Sequence, residues 1–222
     1  MFDDGAPGLI RRYWHLALLT LILFAATWVF ADRYRAALRD NAVASQRAEA
    51  LLQNKASLRL LESELQKFRL LPIVLSEYPD LRTAVRSGTR NAMLDDKLAS
   101  LAAKTGAAAI FALDRRGLTI SASNARLPNS FIGQDYSFRP YYRLAWAEGG
   151  GEYFALGTVS RRPGLYLSRR IDDAQGPIGV VVVKVEFDAI ERAWADRTAL
   201  TFVADGNGVI LLSSDPAAKL RG

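Results

Sequence analysis

Phe111-Ala-Leu-Asp-Arg-Arg-Gly-Leu-Thr-Ile-Ser-Ala-Ser123 reads as strand, turn, strand. Apolar residues flank Asp114-Arg-Arg-Gly117, in which the aspartate can accept bonds from the turn backbone and the glycine supplies a positive φ. The pattern returns at Phe202-Val-Ala-Asp-Gly-Asn-Gly-Val-Ile-Leu-Leu-Ser-Ser214, with Phe, Asp, Gly and Ser in matching places at a constant offset of 202 − 111 = 91. Every hairpin needs turn residues, so four identities can arise by chance. A spacing equal to one small domain nevertheless predicts two successive lobes of one kind, the second starting near Thr198 and truncated at Gly222.

Around the first hairpin the sequence turns into short β-rich runs at 107–113, 117–123, 152–160, 164–171 and 178–187, with a helix at about 140–147. This predicts an α+β lobe, an antiparallel five-stranded sheet with helices on one side, which is the plan of a PAS-like module. Residues 81–105 read as further helix, broken around Gly88. Residues 32–71 contain no Gly or Pro and are rich in Ala, Leu, Arg, Glu and Gln, which predicts one long helix that kinks or breaks at Pro72. Along it Leu51, Leu58 and Leu65 are seven apart, and Leu61 and Phe68 follow the last two by three. That is an a/d seam of about three heptads, with Asn54 at a d position. It reads equally as the packing face of a helix on its own domain or as the seam of a parallel homodimer.

Residues 13–31, YWHLALLTLILFAATWVFA, carry no Asp, Glu, Lys or Arg. At helical rise they roughly match a hydrocarbon layer of ~30 Å, so a transmembrane helix is predicted, with aromatic residues near both ends and Arg11 and Arg12 just before it. The rival is a cleaved signal peptide ending at Val29-Phe30-Ala31, but the apolar run exceeds the usual ~7 to 15 residues. A large domain after a first helix is usually exported largely regardless of nearby charge. That leaves a short cytoplasmic N-terminus and places the remainder outside, in the periplasm of a bacterium.

The 222 residues hold 29 Lys and Arg against 23 Asp and Glu, a formal charge of +6, with one His and no Cys. Disulfide scaffolds, thiolate metal sites and cysteine nucleophiles are excluded, and His15 alone cannot build a triad or a histidine metal site away from the membrane run. Paired acids Asp95-Asp96 and Asp172-Asp173 read as a solvated helix face and a turn, and Gly206-Asn-Gly208 is far short of a nucleotide fingerprint. No metal and no cofactor is called for. The span 139–170 holds six Arg against two Glu, yet a membrane anchor argues against nucleic acid. The basic excess reads instead as steering of small anions or proximity to anionic lipid.

The most unusual stretch is 134–143, Gln-Asp-Tyr-Ser-Phe-Arg-Pro-Tyr-Tyr-Arg, a turn feeding a helix with Pro140 at its first position. Tyr136 and Arg139, three apart, fall on one side of a turn and can offer a phenol and a guanidinium fork to one carboxylate; the plainer reading is a helix start with an exposed Arg. Thr158 and Ser160 share a face of the third predicted strand by period two, although strand-end hydroxyls are common. Lys184 interrupts Ile178-Gly-Val-Val-Val-Val-Lys-Val-Glu-Phe187, whose continuous apolar character predicts burial on both faces. A buried ammonium needs an anion, and Glu186 lies two residues on along the same face; an edge position would instead leave Lys184 in solvent.

Asp135-Tyr-Ser-Phe-Arg-Pro-Tyr-Tyr142, Phe154-Ala-Leu-Gly-Thr-Val-Ser160 and Pro163-Gly-Leu-Tyr-Leu-Ser168 together resemble the sensor region of the C4-dicarboxylate sensor histidine kinases, the DctB family. The resemblance covers nearly the whole chain and is strongest from 129 to 184. It implies an uncleaved first helix in the bacterial inner membrane, a long periplasmic helix, two tandem PAS-like (double Cache) lobes, a second membrane helix, and a cytoplasmic kinase that signals to a response regulator. The implied boundaries are 1–12 cytoplasmic, 13–31 transmembrane, 32–74 long helix, 75–195 membrane-distal ligand-binding lobe and 196–222 the start of the membrane-proximal lobe. The family's distal lobe binds succinate, fumarate or malate, and the matching positions here are Tyr136, Arg139, Thr158, Ser160 and Lys184 as carboxylate contacts. Val159 stands where the family commonly has a second hydroxyl residue, and Arg161 is bulkier than the family pattern. Arg139 and Lys184 offer one cation per carboxylate, which predicts selectivity for diacids. The expected function is the extracytoplasmic sensor of a two-component kinase controlling dicarboxylate transport genes, with no enzyme in this fragment. The alternative is the same module serving a chemoreceptor or another membrane-bound output.

Overall fold

A computed structural model of the chain describes residues 7–195, 201–204, 208–215 and 217. The elements run α1 (Pro7–Ser76), α2 (Pro79–Ser87), α3 (Ala92–Thr105), β1 (Ala109–Asp114), β2 (Thr119–Ala122), α4 (Pro140–Glu148), β3 (Gly150–Leu156), β4 (Pro163–Asp173), β5 (Gly176–Val185), α5 (Asp188–Ala195), β6 (Phe202–Ala204) and β7 (Ile210–Ser213). Two compact units are present, Met1–Leu60 and Leu61–Gly222. In the first, α1 turns its large apolar side chains outward: Leu23, Phe24, Trp28 and Phe30 are exposed, as are Leu51 and Leu58 of the heptad pattern. Among the described residues no helix is long and apolar enough to cross a membrane; the charge-free run includes His15 and Ala17, whose side chains lie outside that description.

In the second unit α1 decides against one of the two outcomes expected at Pro72, the break. Pro72 sits inside the helix, which continues to Ser76 instead of breaking. A proline there removes the bond to the Phe68 carbonyl and costs about 3 kcal/mol, offset by burial of Phe68 and Leu75 on either side. Leu61, Leu65 and Phe68 pack into this core, so the later part of the predicted seam follows the intramolecular reading and not the homodimer.

The sheet order is β2-β1-β5-β4-β3 with every neighbouring pair antiparallel. Centrality explains the apolar run of β5. Val181, Val183 and Val185 pack with Leu81, Leu94 and Leu98 of α2 and α3, while Val180 and Val182 pack with Phe111 and with Tyr141 and Ala145 of α4. Helices therefore cover both faces, not one, because a strand buried on both sides needs apolar cover on both. The same position removes the edge alternative for Lys184, which is 1% exposed.

Asp95 is a second correction. It is buried, not solvated: its carboxylate accepts from Ser121 Oγ at 2.6 Å, the Ala122 amide at 3.0 Å and Arg90 Nε at 2.8 Å, tying α3 to β2. Asp96 does face solvent, paired with Arg126.

The 91-residue repeat holds in three dimensions. Phe111↔Ala122, Ala112↔Ser121 and Leu113↔Thr119 correspond to Phe202↔Ser213, Val203↔Leu212 and Ala204↔Ile210, with the register slip at the same place. Gly117 and Gly208 have φ of 83° and 85°. Ser123 and Ser214 each close the hairpin, accepting from the Ile110 or Thr201 amide through Oγ and donating through the backbone to the same residue. Thr198 and Asp205 lie outside the described residues.

Candidate ligand-binding site

Three pieces of chain meet over the face of the sheet that carries Phe111 and Tyr166. The first is 134–139, held to the first hairpin by the Thr119 amide on the Gln134 carbonyl at 2.9 Å and the Tyr136 amide on the Gly117 carbonyl at 2.8 Å. A Cβ on Gly117 would meet the Ser137 backbone at 2.6 Å, so glycine serves here both for its φ and for this close approach. The Arg139 amide bonds the Tyr136 carbonyl at 3.0 Å, closing the turn that puts both side chains on one side, and Pro140 then starts α4.

The second piece is the turn after β3. The strand ends at Leu156, four residues short of the predicted end, because the Gly157 amide bonds the Arg162 carbonyl and the Arg161 amide bonds the Gly157 carbonyl, both at 3.0 Å. Arg161 takes a left-handed φ of 53° to close it. Thr158 and Ser160 consequently belong to a turn and not to one strand face, yet both line the same cavity.

The third piece is the sheet itself. Lys184 lies opposite Tyr166 in the β4–β5 register, and Gly164 leaves room for it, since a Cβ there would stand 3.0 Å from Lys184 Cε.

These pieces close on a narrow cavity of about 10 Å³, lined by Phe111, Phe131, Tyr136, Arg139, Tyr141, Gly157, Thr158, Val159, Ser160 and Tyr166. Tyr141 and Tyr166 stack at 4.6 Å, and the Arg139 guanidinium stands over both rings at 5.7 and 5.9 Å. One of its terminal nitrogens donates to the Leu156 carbonyl at 2.6 Å, while Nε is buried without an acceptor. Burial pushes the Tyr136 phenol up, opposed by its bond with Thr158 and by the Arg139 charge. Burial likewise raises Tyr166 to about 12 and holds Tyr141 higher still, with Arg139 pulling both back. The cavity thus presents a cation, aromatic walls kept neutral, and hydroxyl donors, a set suited to a small anion.

No family model matches the chain. The C4-dicarboxylate transport sensor protein DctB of Rhizobium meliloti (strain 1021) is 40% identical over 210 residues, 93% of this chain and 33% of that protein. The protein of the same name in Pseudomonas aeruginosa is 33% identical over 219 residues, 92% of this chain and 34% of that protein. The crystal structure of the V. cholerae histidine kinase DctB sensor domain superposes with a TM-score of 0.69 at 32% identity, covering 78% of this chain and 70% of that one. The chain belongs to the DctB family. It spans about a third of the length of the curated DctB relatives, and the part it matches in V. cholerae is the sensor domain. The ligand-binding domain of the Pseudomonas fluorescens chemoreceptor CtaA, solved with L-serine, shares the fold alone, at a TM-score of 0.54 and 17% identity over 77% of this chain and 73% of that one.

Within this DctB sensor fold, Tyr136, Arg139, Thr158 and Ser160 converge on the cavity wall. Lys184 stands behind it, with its Nζ donating to Ser160 Oγ at 2.8 Å. Sequence reasoning missed Tyr141 and Tyr166, the rings under Arg139. The doubled tyrosine after Pro140 was a usable signal for the first; Tyr166 needed the strand register.

Proposed function

We propose that this chain is the extracytoplasmic sensor region of a membrane-bound two-component histidine kinase, binding C4-dicarboxylates such as succinate, fumarate or malate through Tyr136, Arg139, Thr158, Ser160 and Lys184. The observation that carries the reading is the buried Arg139 Nε, a charged donor with no acceptor, on a side chain that lines a cavity with aromatic walls. A buried unpaired donor of this kind costs about 1 to 3 kcal/mol, which a ligand carboxylate recovers on binding. Arg139 and Tyr136 take one carboxylate; Ser160, Thr158 and Lys184 take the other.

The charge-free run 13–31 anchors the chain in the inner membrane, supported by its length and its exposed apolar side chains. The lobe then lies in the periplasm, a homodimer forms through the exposed Leu51 and Leu58, and the output passes to a cytoplasmic response regulator. Both relatives above 30% identity over nearly the whole chain carry the DctB name, whereas the chemoreceptor likeness is one of fold, which favours the kinase reading. Calorimetry of the full chain in detergent tests it: succinate, fumarate or malate binds and raises the melting temperature. Indifference to all three overturns it.

A further inference from the structure

Deepening the proposed dicarboxylate site, and resting on it, is the state of Lys184. Its ammonium has three donors, and each has an acceptor: Ser160 Oγ at 2.8 Å, the Arg162 carbonyl at 3.2 Å and Glu186 Oε1 at 2.5 Å. Glu186 turns its other oxygen to Arg162 Nε at 3.1 Å, and Arg162 also pairs with Asp188. Two cations and two anions therefore balance beside the cavity. This changes the selectivity argument drawn from the sequence, because Lys184 is not a bare buried charge waiting for a diacid.

A ligand carboxylate arriving beside Ser160 can bond Lys184 only by taking a donor already in use. The Ser160 hydroxyl and the Arg162 carbonyl are neutral, and both belong to the turn closed by its own backbone bonds. Glu186 is the same chemical group as the newcomer. It follows the last residue of β5, outside the ladder, and has Arg162 as a second partner. We infer that Glu186 is a specificity-determining residue, a tethered carboxylate that competes with the ligand's second carboxylate for Lys184 and yields to it by shifting onto Arg162. A monocarboxylate seated at Arg139 leaves the Lys184–Glu186 pair intact. A diacid gains at Lys184 only the difference between two carboxylates, so Glu186 holds diacid affinity down.

The experiment compares succinate with succinamate, its monoamide, by calorimetry on the full chain in detergent, in wild type and in Glu186→Gln. Removing the competing charge leaves Lys184 without an anion, so the variant binds succinate about tenfold or more tighter while succinamate changes by less than about threefold. Arg162→Gln has the opposite sign: Glu186 loses its second partner, commits to Lys184, and succinate binds about tenfold weaker. If Glu186→Gln does not fold, Glu186→Asp keeps the charge but loses reach, and succinate again binds tighter. Unchanged or weaker succinate binding in a folded Glu186 variant overturns the inference and leaves the dicarboxylate reading standing. An equal gain for both ligands also overturns it, as the mark of a general field. Absence of succinate binding in wild type removes the reading and the inference together.

Discussion

Replacing Arg139 by alanine separates ligand binding from folding. In this structure the guanidinium donates to the Leu156 carbonyl at 2.6 Å and stands over Tyr141 and Tyr166 at 5.7 and 5.9 Å. Truncation forfeits a charged hydrogen bond worth about 1.5 to 3 kcal/mol and ring contacts worth ~0.5 to 1 kcal/mol each. It also removes a buried Nε donor that costs about 1 to 3 kcal/mol while it lacks an acceptor. The opposing terms leave a net loss on the order of 1 to 2 kcal/mol, a melting temperature lower by several degrees at most. Binding has no such compensation. A succinate carboxylate loses its charge-assisted partner inside a desolvated cavity, roughly 3 kcal/mol or more, so affinity falls about a hundredfold or beyond. Arg139→Lys keeps the charge but not the fork and falls between, at least about tenfold weaker than wild type. Calorimetry beside thermal unfolding reads both quantities on one sample. A folded Arg139→Ala that binds succinate normally would refute the reasoning, as would a variant that cannot fold at all.

Three further expectations follow from the same geometry. Asp95→Ala leaves the Ser121 hydroxyl and the Ala122 amide buried without acceptors, so it destabilises the lobe by about 2 to 4 kcal/mol in chemical denaturation; a loss below about 1 kcal/mol contradicts the clasp. Burial raises Tyr142 and Tyr166 to about 12 when folded, whereas the unfolded phenols ionise near 10, so the unfolded chain sheds protons first and stability falls as pH rises from about 10 to 12. A stability profile flat across that interval is incompatible with buried neutral phenols. The chain has no cysteine, so single cysteines report cleanly: positions 51 and 58 crosslink between copies in a membrane, while 65 and 68, packed in the lobe, do not, and equal crosslinking at all four positions refutes the division.

Local chemistry was legible in the sequence and register was not. Asp114 and Gly117 announce their hairpin because the turn needs those two residues whatever surrounds it. The unbroken valines of β5 announce a central strand, and the spacing of Tyr136 and Arg139 announces a shared side. Counting back from Asp173↔Gly176 across the β4–β5 turn sets Lys184 opposite Leu165; an irregularity between Ile171 and Asp172 sets it opposite Tyr166 instead. A one-residue slip exchanges the two faces of a strand, so no pattern in the sequence places Tyr166 under Arg139. The burial of Asp95 was hidden for a related reason: it is decided by partners far along the chain.

The repeated hairpin shows where local specification stops. Both copies share register, slip, left-handed glycine and closing serine, so one short sequence pattern gives the same described backbone twice. Their matching phenylalanines differ nonetheless: Phe111 is 1% exposed and Phe202 is 51% exposed. Phe111 belongs to a strand with neighbours on both sides, β2 and β5, and packs against Phe131, Tyr136 and Tyr141. Among the described residues β6 has only β7 beside it. A two-stranded hairpin has little core of its own and is marginal in water. The turn chemistry therefore specifies the hairpin, while pairing with β5 and cover from the 131–141 segment make the first copy's phenylalanine part of the cavity lining.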